Sequence, residues 1–229
     1  MKTSKFILLL MALVSFSCDN DVNIDFPNFP IGSNNCLPGQ GTIVSENRTV
    51  GDFHSIINTI YADILLTQGP QQDIIIEGQQ NIIDQIKTDV VNGELRLTLN
   101  RCVRIAQGVK VYITIPEIRN LALTGVGNII AQNNFDLTDL NVTLSGTGDF
   151  RLQGTTTTLD ISLTGVGDVK AFQLNSDICN VGITGVGDVE VFVNDELNVT
   201  ITGTGTVFYK GHPTITSNIT GSGIIVDSN

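Results

Sequence analysis

Six segments of the 229-residue chain share one pattern: Leu123-Thr-Gly-Val-Gly-Asn128, Leu144-Ser-Gly-Thr-Gly-Asp149, Leu163-Thr-Gly-Val-Gly-Asp168, Ile183-Thr-Gly-Val-Gly-Asp188, Ile201-Thr-Gly-Thr-Gly-Thr206 and Ile219-Thr-Gly-Ser-Gly-Ile224. Successive copies start 21, 19, 20, 18 and 18 residues apart. Self-similarity at a period near twenty points to a stacked solenoid, in which no single unit can bury its own apolar face.

The residues flanking each copy alternate. Leu140-Asn-Val-Thr-Leu144, Leu159-Asp-Ile-Ser-Leu163, Cys179-Asn-Val-Gly-Ile183 and Leu197-Asn-Val-Thr-Ile201 precede the glycines. Phe150-Arg-Leu152, Val169-Lys-Ala171, Val189-Glu-Val191 and Val207-Phe-Tyr209 follow them. Period-two alternation gives each strand one apolar face. Each repeat is therefore expected to be two short strands joined at Gly-x-Gly, with a second turn closing the loop. The expected fold class is all-β, a parallel β-helix or solenoid. The inward columns are Leu121/Val142/Ile161/Val181/Val199 and Leu123/Leu144/Leu163/Ile183/Ile201/Ile219. The outward columns are Asn120/Asn141/Asp160/Asn180/Asn198 and Thr124/Ser145/Thr164/Thr184/Thr202/Thr220. Phe172 and Phe192 share one position in adjacent rungs and are expected to pack at a corner.

Residues 41–118 also read as mostly strand, over 61–67, 73–77, 94–99 and 109–115. Asn92-Gly93 forms a hairpin turn, and 80–88 one short helix with Ile82, Ile83 and Ile86 on a single side. This half is expected to be a β-rich cap on the first rung, because solenoid ends need covering. Residues 41–226 thus make one domain, with 41–118 the capping half and 119–226 the six rungs.

The first 17 residues read as an export signal. Lys2 and Lys5 precede an apolar run from Phe6 to Phe16, too short to span a bilayer. The run ends at Ser17-Cys18, which is similar to a bacterial lipoprotein processing site. Cys18 is therefore the expected lipidation site, and residues 18–40, rich in Asp, Pro and Asn, a tether. The expected location is the cell envelope, as an outer-membrane lipoprotein, on either its surface or its periplasmic face. Without Lys2 and Lys5, 10 basic residues face 23 acidic ones. That balance argues against nucleic acid as a partner. Three cysteines then remain in a compartment that permits disulfides. The repeat register places Cys179 with Leu140, Leu159 and Leu197 in the core, so Cys36 and Cys102 are the expected pair.

The chain resembles a known family. Arg48-Thr-Val-Gly-Asp-Phe53, Leu65-Leu-Thr-Gln-Gly69, Val91-Asn-Gly-Glu-Leu95 and Val111-Tyr-Ile-Thr-Ile-Pro116, followed by Gly-x-Gly repeats, resemble the putative auto-transporter adhesin, head GIN domain family over about residues 41–226. The resemblance implies a β-helical fold and an envelope location. It supplies no catalytic residues.

Chemistry-bearing residues are few. Asn128, Asp149, Asp168 and Asp188 hold one position in four rungs. Stacked carboxylates invite a cation, but calcium-binding rolls repeat every nine residues. Hydrogen bonding of each side chain to its own turn is therefore expected, and no metal. These aspartates belong to the repeat consensus, which argues against a glycoside-hydrolase pair. His54 and His212 lie in unrelated contexts and are expected on the surface, and no nucleophile motif is present. No Lys-Ser/Thr follows any Gly-x-Gly, so a phosphate loop is not expected. Neither catalytic residues nor cofactors are expected. The polar columns form the candidate ligand face, with Asn141, Asn180, Asn198, Thr164, Thr184 and Thr202 as its residues and a glycan or protein as its ligand. Three readings follow: a non-enzymatic binding or adhesion module, a structural envelope protein, or a polysaccharide-acting β-helix enzyme. Ile224, Ile225 and Val226 in the last rung offer an open strand edge, from which self-association by strand addition is expected.

Overall fold

The computed structural model describes residues 36–105 and 107–229. Cys18 and the leader and tether segments before residue 36 lie outside the described residues.

Two β-faces share one core, and chain order is not stacking order. The first face is built from β3 (Ser55–Asn58), β6 (Ile86–Val91), β7 (Glu94–Leu99), β10 (Asn120–Leu123) and β12 (Phe135–Leu144). The second contains β2 (Ile43–Asn47), β4 (Asp63–Gln68), β5 (Asp73–Gln79), β9 (Lys110–Ile115) and β11 (Ile129–Ala131). Beyond these, β13 (Phe150–Leu163), β14 (Val169–Ile183) and β15 (Val189–Ile201) each serve both faces in turn. The stack ends with β16 (Thr204–Lys210), β17 (Thr214–Ile219) and β18 (Ser222–Asp227).

Along the first face the order is β6-β7-β3-β10-β12-β13-β14-β15-β17, and every pair but β6/β7 is parallel. Along the second it is β2-β5-β9-β4-β11-β13-β14-β15-β16-β18, antiparallel only at β2/β5 and β5/β9. The expected solenoid is therefore the fold. In register, Leu121 meets Val142, Val142 meets Ile161, and Ile161 meets Val181. The inward columns are buried from Leu121 to Ile201. Ile219 is the exception at 38% exposure, because among the described residues no further strand lies over it.

Three expectations change. The second turn breaks the strand only in the outer rungs, at 132–134 and 211–213; in the middle rungs β13, β14 and β15 run 14, 15 and 13 residues, bending continuously from one face to the other. Unequal repeat lengths are absorbed there as register shifts, between Arg151 and Gln153 and again between Ala171 and Asn175. The helix is a single turn, α1 (Gln80–Ile83), and Ile86 opens β6 instead. All three isoleucines are buried, but from Ile86 to Val91 burial alternates at period two, which only a strand satisfies. The N-terminal half is more than a cap. Its β3/β4 and β7/β9 extend the parallel stack, and only β2, β5, β6 and α1 close it.

Candidate functional site

Gly-x-Gly builds the tight corner. The second glycine of the first four copies takes a left-handed φ, as at Gly148 (142°), which side chains disfavour. The first glycine is needed for a different reason: a Cβ on Gly165 would overlap the backbone carbonyl oxygen of Gly146 one rung below. The middle residue points out. Tyr61, Val126, Thr147, Val166, Val186 and Thr204 stack in one bridged line, and Val166 is 53% exposed.

Beside this corner runs the carboxylate column, and its hydrogen bonds differ from expectation. Each side chain accepts from the same position one rung on, not from its own turn. Asn128 Oδ1 accepts from the Asp149 N–H (3.1 Å), Asp149 Oδ1 from Asp168 N–H (3.1 Å), Asp168 Oδ1 from Asp188 N–H (3.0 Å) and Asp188 Oδ1 from Thr206 N–H (2.7 Å). The column also reaches further than the motif. Asp63 Oδ1 accepts from the backbone N–H of Asn128 at 2.8 Å. The sequence signal was Asn58-Thr-Ile-Tyr-Ala-Asp63, a degenerate copy with Ile60 and Ala62 in the glycine places. Lys170 lies 3.2 Å from Asp149 Oδ2 and 3.4 Å from Asp168 Oδ2, and Arg151 lies 3.5 Å from Asp149. These cations pair with the two middle carboxylates, Asp149 and Asp168. Among the described residues no cluster of three or more His, Cys, Asp and Glu could hold a metal.

On the outer side of the first face, the Asn column is a hydrogen-bonded ladder. Asn180 Nδ2 donates to Asp160 Oδ1 at 2.6 Å, and Asn198 Nδ2 to Asn180 Oδ1 at 3.0 Å. Next to it stands a column of small residues, Thr143, Ser162, Gly182 and Thr200. Together they line a shallow hollow of ≈ 430 Å³. Gly182 keeps it open by choice of residue: a Cβ there would meet only the Ile161 carbonyl oxygen, at 3.8 Å. A second hollow of ≈ 530 Å³ shares Asn141 and continues past Asp139, Arg119 and Glu117 to Gln68. Arg119 donates to Glu117 at 2.6 Å and holds that carboxyl below its usual range.

Asn141, Asn180 and Asn198 therefore share one trough, whereas Thr164, Thr184 and Thr202 do not line it. The threonines stand exposed at the Gly-x-Gly corner.

A family model described as "Putative auto-transporter adhesin, head GIN domain" matches residues 52–213. The chain belongs to that family. The GIN domain is similar to the crystal structure of a putative adhesin from Bacteroides fragilis NCTC 9343, with a TM-score of 0.69 and 24% identity over 84% of this chain and 100% of that one. It is also similar to a putative lipid binding protein from Parabacteroides distasonis ATCC 8503, with a TM-score of 0.53 and 18% identity over 84% and 99%. At these identities the likeness is one of fold. No curated protein matches the chain.

Elsewhere in the GIN domain, Cys36 and Cys102 form a disulfide with Cα atoms 4.6 Å apart, beside the short parallel pair β1 (Leu37–Pro38) and β8 (Val103–Arg104). Cys179 is a buried thiol, raised above its ordinary value by desolvation and then by the Asp160 charge, and so is unreactive. His212 is exposed. His54 is not a free surface group: it is half-buried against Gly93, with Nδ1 3.0 Å from Ser55 Oγ. Phe172 and Phe192 are half-buried but do not share one position: Phe192 pairs with Asn175, and Phe172 falls in the register shift between Ala171 and Asn175, at the bend. Lys210 lies 4.7 Å from the Phe172 ring centroid.

Proposed function

We propose that this chain is a non-enzymatic adhesion module of the cell envelope, held to the outer membrane through a lipid on Cys18, and that the Asn trough is its ligand site. Membership of an adhesin family supports an envelope or surface role. The apolar run ending at Ser17-Cys18 is what supports a lipid anchor as the attachment; among the described residues no helix is long and apolar enough to cross a membrane. The observation that carries the binding reading is the trough itself. Side-chain amides and carboxylates repeat along it at roughly 4.8 Å, the spacing of stacked strands, beside a floor that Gly182 leaves unfilled. A ligand lying along the stack axis meets a side-chain amide or carboxylate at each step. An extended glycan, with hydroxyls at regular intervals, suits that array better than a compact molecule does. The carboxylates that a polysaccharide-acting enzyme would need are engaged with backbone N–H groups and with Lys170.

A glycan array probed with the protein tests the site. Gly182→Val fills the trough without touching the core, so it should abolish binding and leave the melting temperature unchanged. Binding that survives Gly182→Val places the ligand elsewhere, and an array without any hit alongside capture of a peptide would change the ligand class. Cys18→Ala should move the protein from carbonate-washed membranes to the soluble fraction; a variant that still pellets removes the anchor from this reading.

A further inference from the structure

The last rung is unlike every other. Among the described residues its strands, β17 and β18, each pair on one side only, with β15 and β16. The inward positions Ile215 and Ile219 are each 38% exposed, where their counterparts Leu197 and Ile201 are fully buried. From Pro213 to Val226 there is no charged residue. Lys or another charge on the edge is the usual device against unwanted strand pairing, and β17 and β18 carry none until Asp227.

The opposite end is defended. The outer strands there are β6, with Lys87 and Asp89, and β2, with Glu46 paired to Arg48 at 3.1 Å. A copy approaching head to tail meets charge. A copy approaching tail to tail meets a neutral surface, while the net charge of −11 keeps the flanks apart.

The edge is also self-complementary. Antiparallel partners that face each other point to the same side of a sheet. With β17 set against its own copy about Ser217, Ile215 faces Ile219, Thr216 faces Asn218, and the apolar column continues across the junction. With β18 set about Ile225, Ile224 faces Val226. Ser217 and Ile225 stand four residues either side of Gly221, so one two-fold axis serves both strands.

We propose that the protein dimerises tail to tail, β17 and β18 each pairing antiparallel with the same strand of a second copy about an axis through Ser217 and Ile225. The dimer is isologous and closes both open edges at once. It also places the two N-terminal caps, with their β2 and β6 strands, at opposite extremes of one continuous stack.

Sedimentation of the full chain in detergent, over a range of concentrations, should show the mass doubling. Ser217→Lys sets two ammonium groups against each other at the axis and should return the monomer. Ser217→Cys is the second arm. Cα atoms facing each other in an antiparallel pair lie about 4.5–5.5 Å apart, within disulfide reach. Mild oxidation should therefore give a covalent dimer, and the flank control Thr184→Cys should not. A wild type that stays monomeric overturns the proposal. So does association that persists in Ser217→Lys, or cross-linking that is equal at 217 and 184.

Discussion

The two ends of the stack solve the same problem differently. At the N-terminal end the chain turns back on itself, and β2, β5 and β6 add antiparallel strands. There α1 buries Ile82 and Ile83, and the Cys36–Cys102 disulfide staples the corner loop. At the C-terminal end nothing among the described residues covers Ile215 and Ile219. Corner geometry relaxes in the same direction, because β16 and β18 begin inside the last two Gly-x-Gly copies, at Thr204 and Ser222. In a quasi-one-dimensional stack each rung is held by its neighbours alone. A capped end therefore opens with the whole stack, and an open end can fray by itself. The same repeat has different stability according to where it stands.

The sharpest test places one substitution in two rungs. Gly165→Ala drives a methyl into the Gly146 carbonyl in the middle of the stack, where rungs on both sides prevent escape. It should cost about 4 kcal/mol or more in denaturant melts. Gly221→Ala makes the same clash against Gly203, but its rung is free to swing outward, and about 1–2 kcal/mol is expected. Equal costs would mean that the last rung is held as firmly as the middle.

Reducing the disulfide acts on the other end. It links positions 66 residues apart, and the chain-entropy model gives about 4 kcal/mol for such a loop. Hydrogen exchange should then accelerate in β7 and β9 and stay unchanged in β17. Uniform acceleration would show that the ends are coupled through the core.

Truncating the core column comes next. Ile183→Ala should cost roughly 2–5 kcal/mol. Its half-exposed counterpart Ile219→Ala should cost about 1 kcal/mol, and more if a second copy covers it.

The smallest effect belongs to the flank. The hydrogen bond to Asp149, then the charges of Asp149 and Asp168, raise the Lys170 ammonium above its ordinary 10.5. A raised value means that the folded state holds the proton more tightly than the unfolded chain. The contribution is therefore complete below pH 10.5 and is lost as pH climbs through the raised value. Lys170→Ala should give a slight loss of melting temperature at neutral pH, which disappears in strong alkali and in high salt. A loss independent of salt would point to packing of the Lys170 stem instead.

Much of the middle of the molecule was legible because its repeats obey one period. The alternation around Leu163 and Ile183 specified which side chains face the core, and the glycines marked the corner. The caps were less legible because each element there occurs once. Ile82, Ile83 and Ile86 fit a helical face as well as they fit one turn followed by a strand, and only the partner β7 decides between them. Asp63 was missed because the outermost corner, between β7 and β9, opens into a long loop. That loop leaves room for Ile60 where later rungs require glycine, so the motif could decay while its hydrogen bond remained. The trough was half visible. The Asn column follows from register, but the hollow depends on Gly182, whose role shows only once Ser162 and Thr200 are set beside it.

The two corners of each rung differ in what they tolerate. At Gly-x-Gly the backbones of successive rungs touch, and neither a side chain nor an extra residue fits between them. At the opposite bend, spacings of 18 to 21 residues are reconciled by slippage near Gln153 and Asn175. One edge of the solenoid is thus an invariant spine and the other an adjustable seam. Sequence drift in length, grafted epitopes and inserted loops belong on the seam, where the stack can take them up one rung at a time without disturbing the spine.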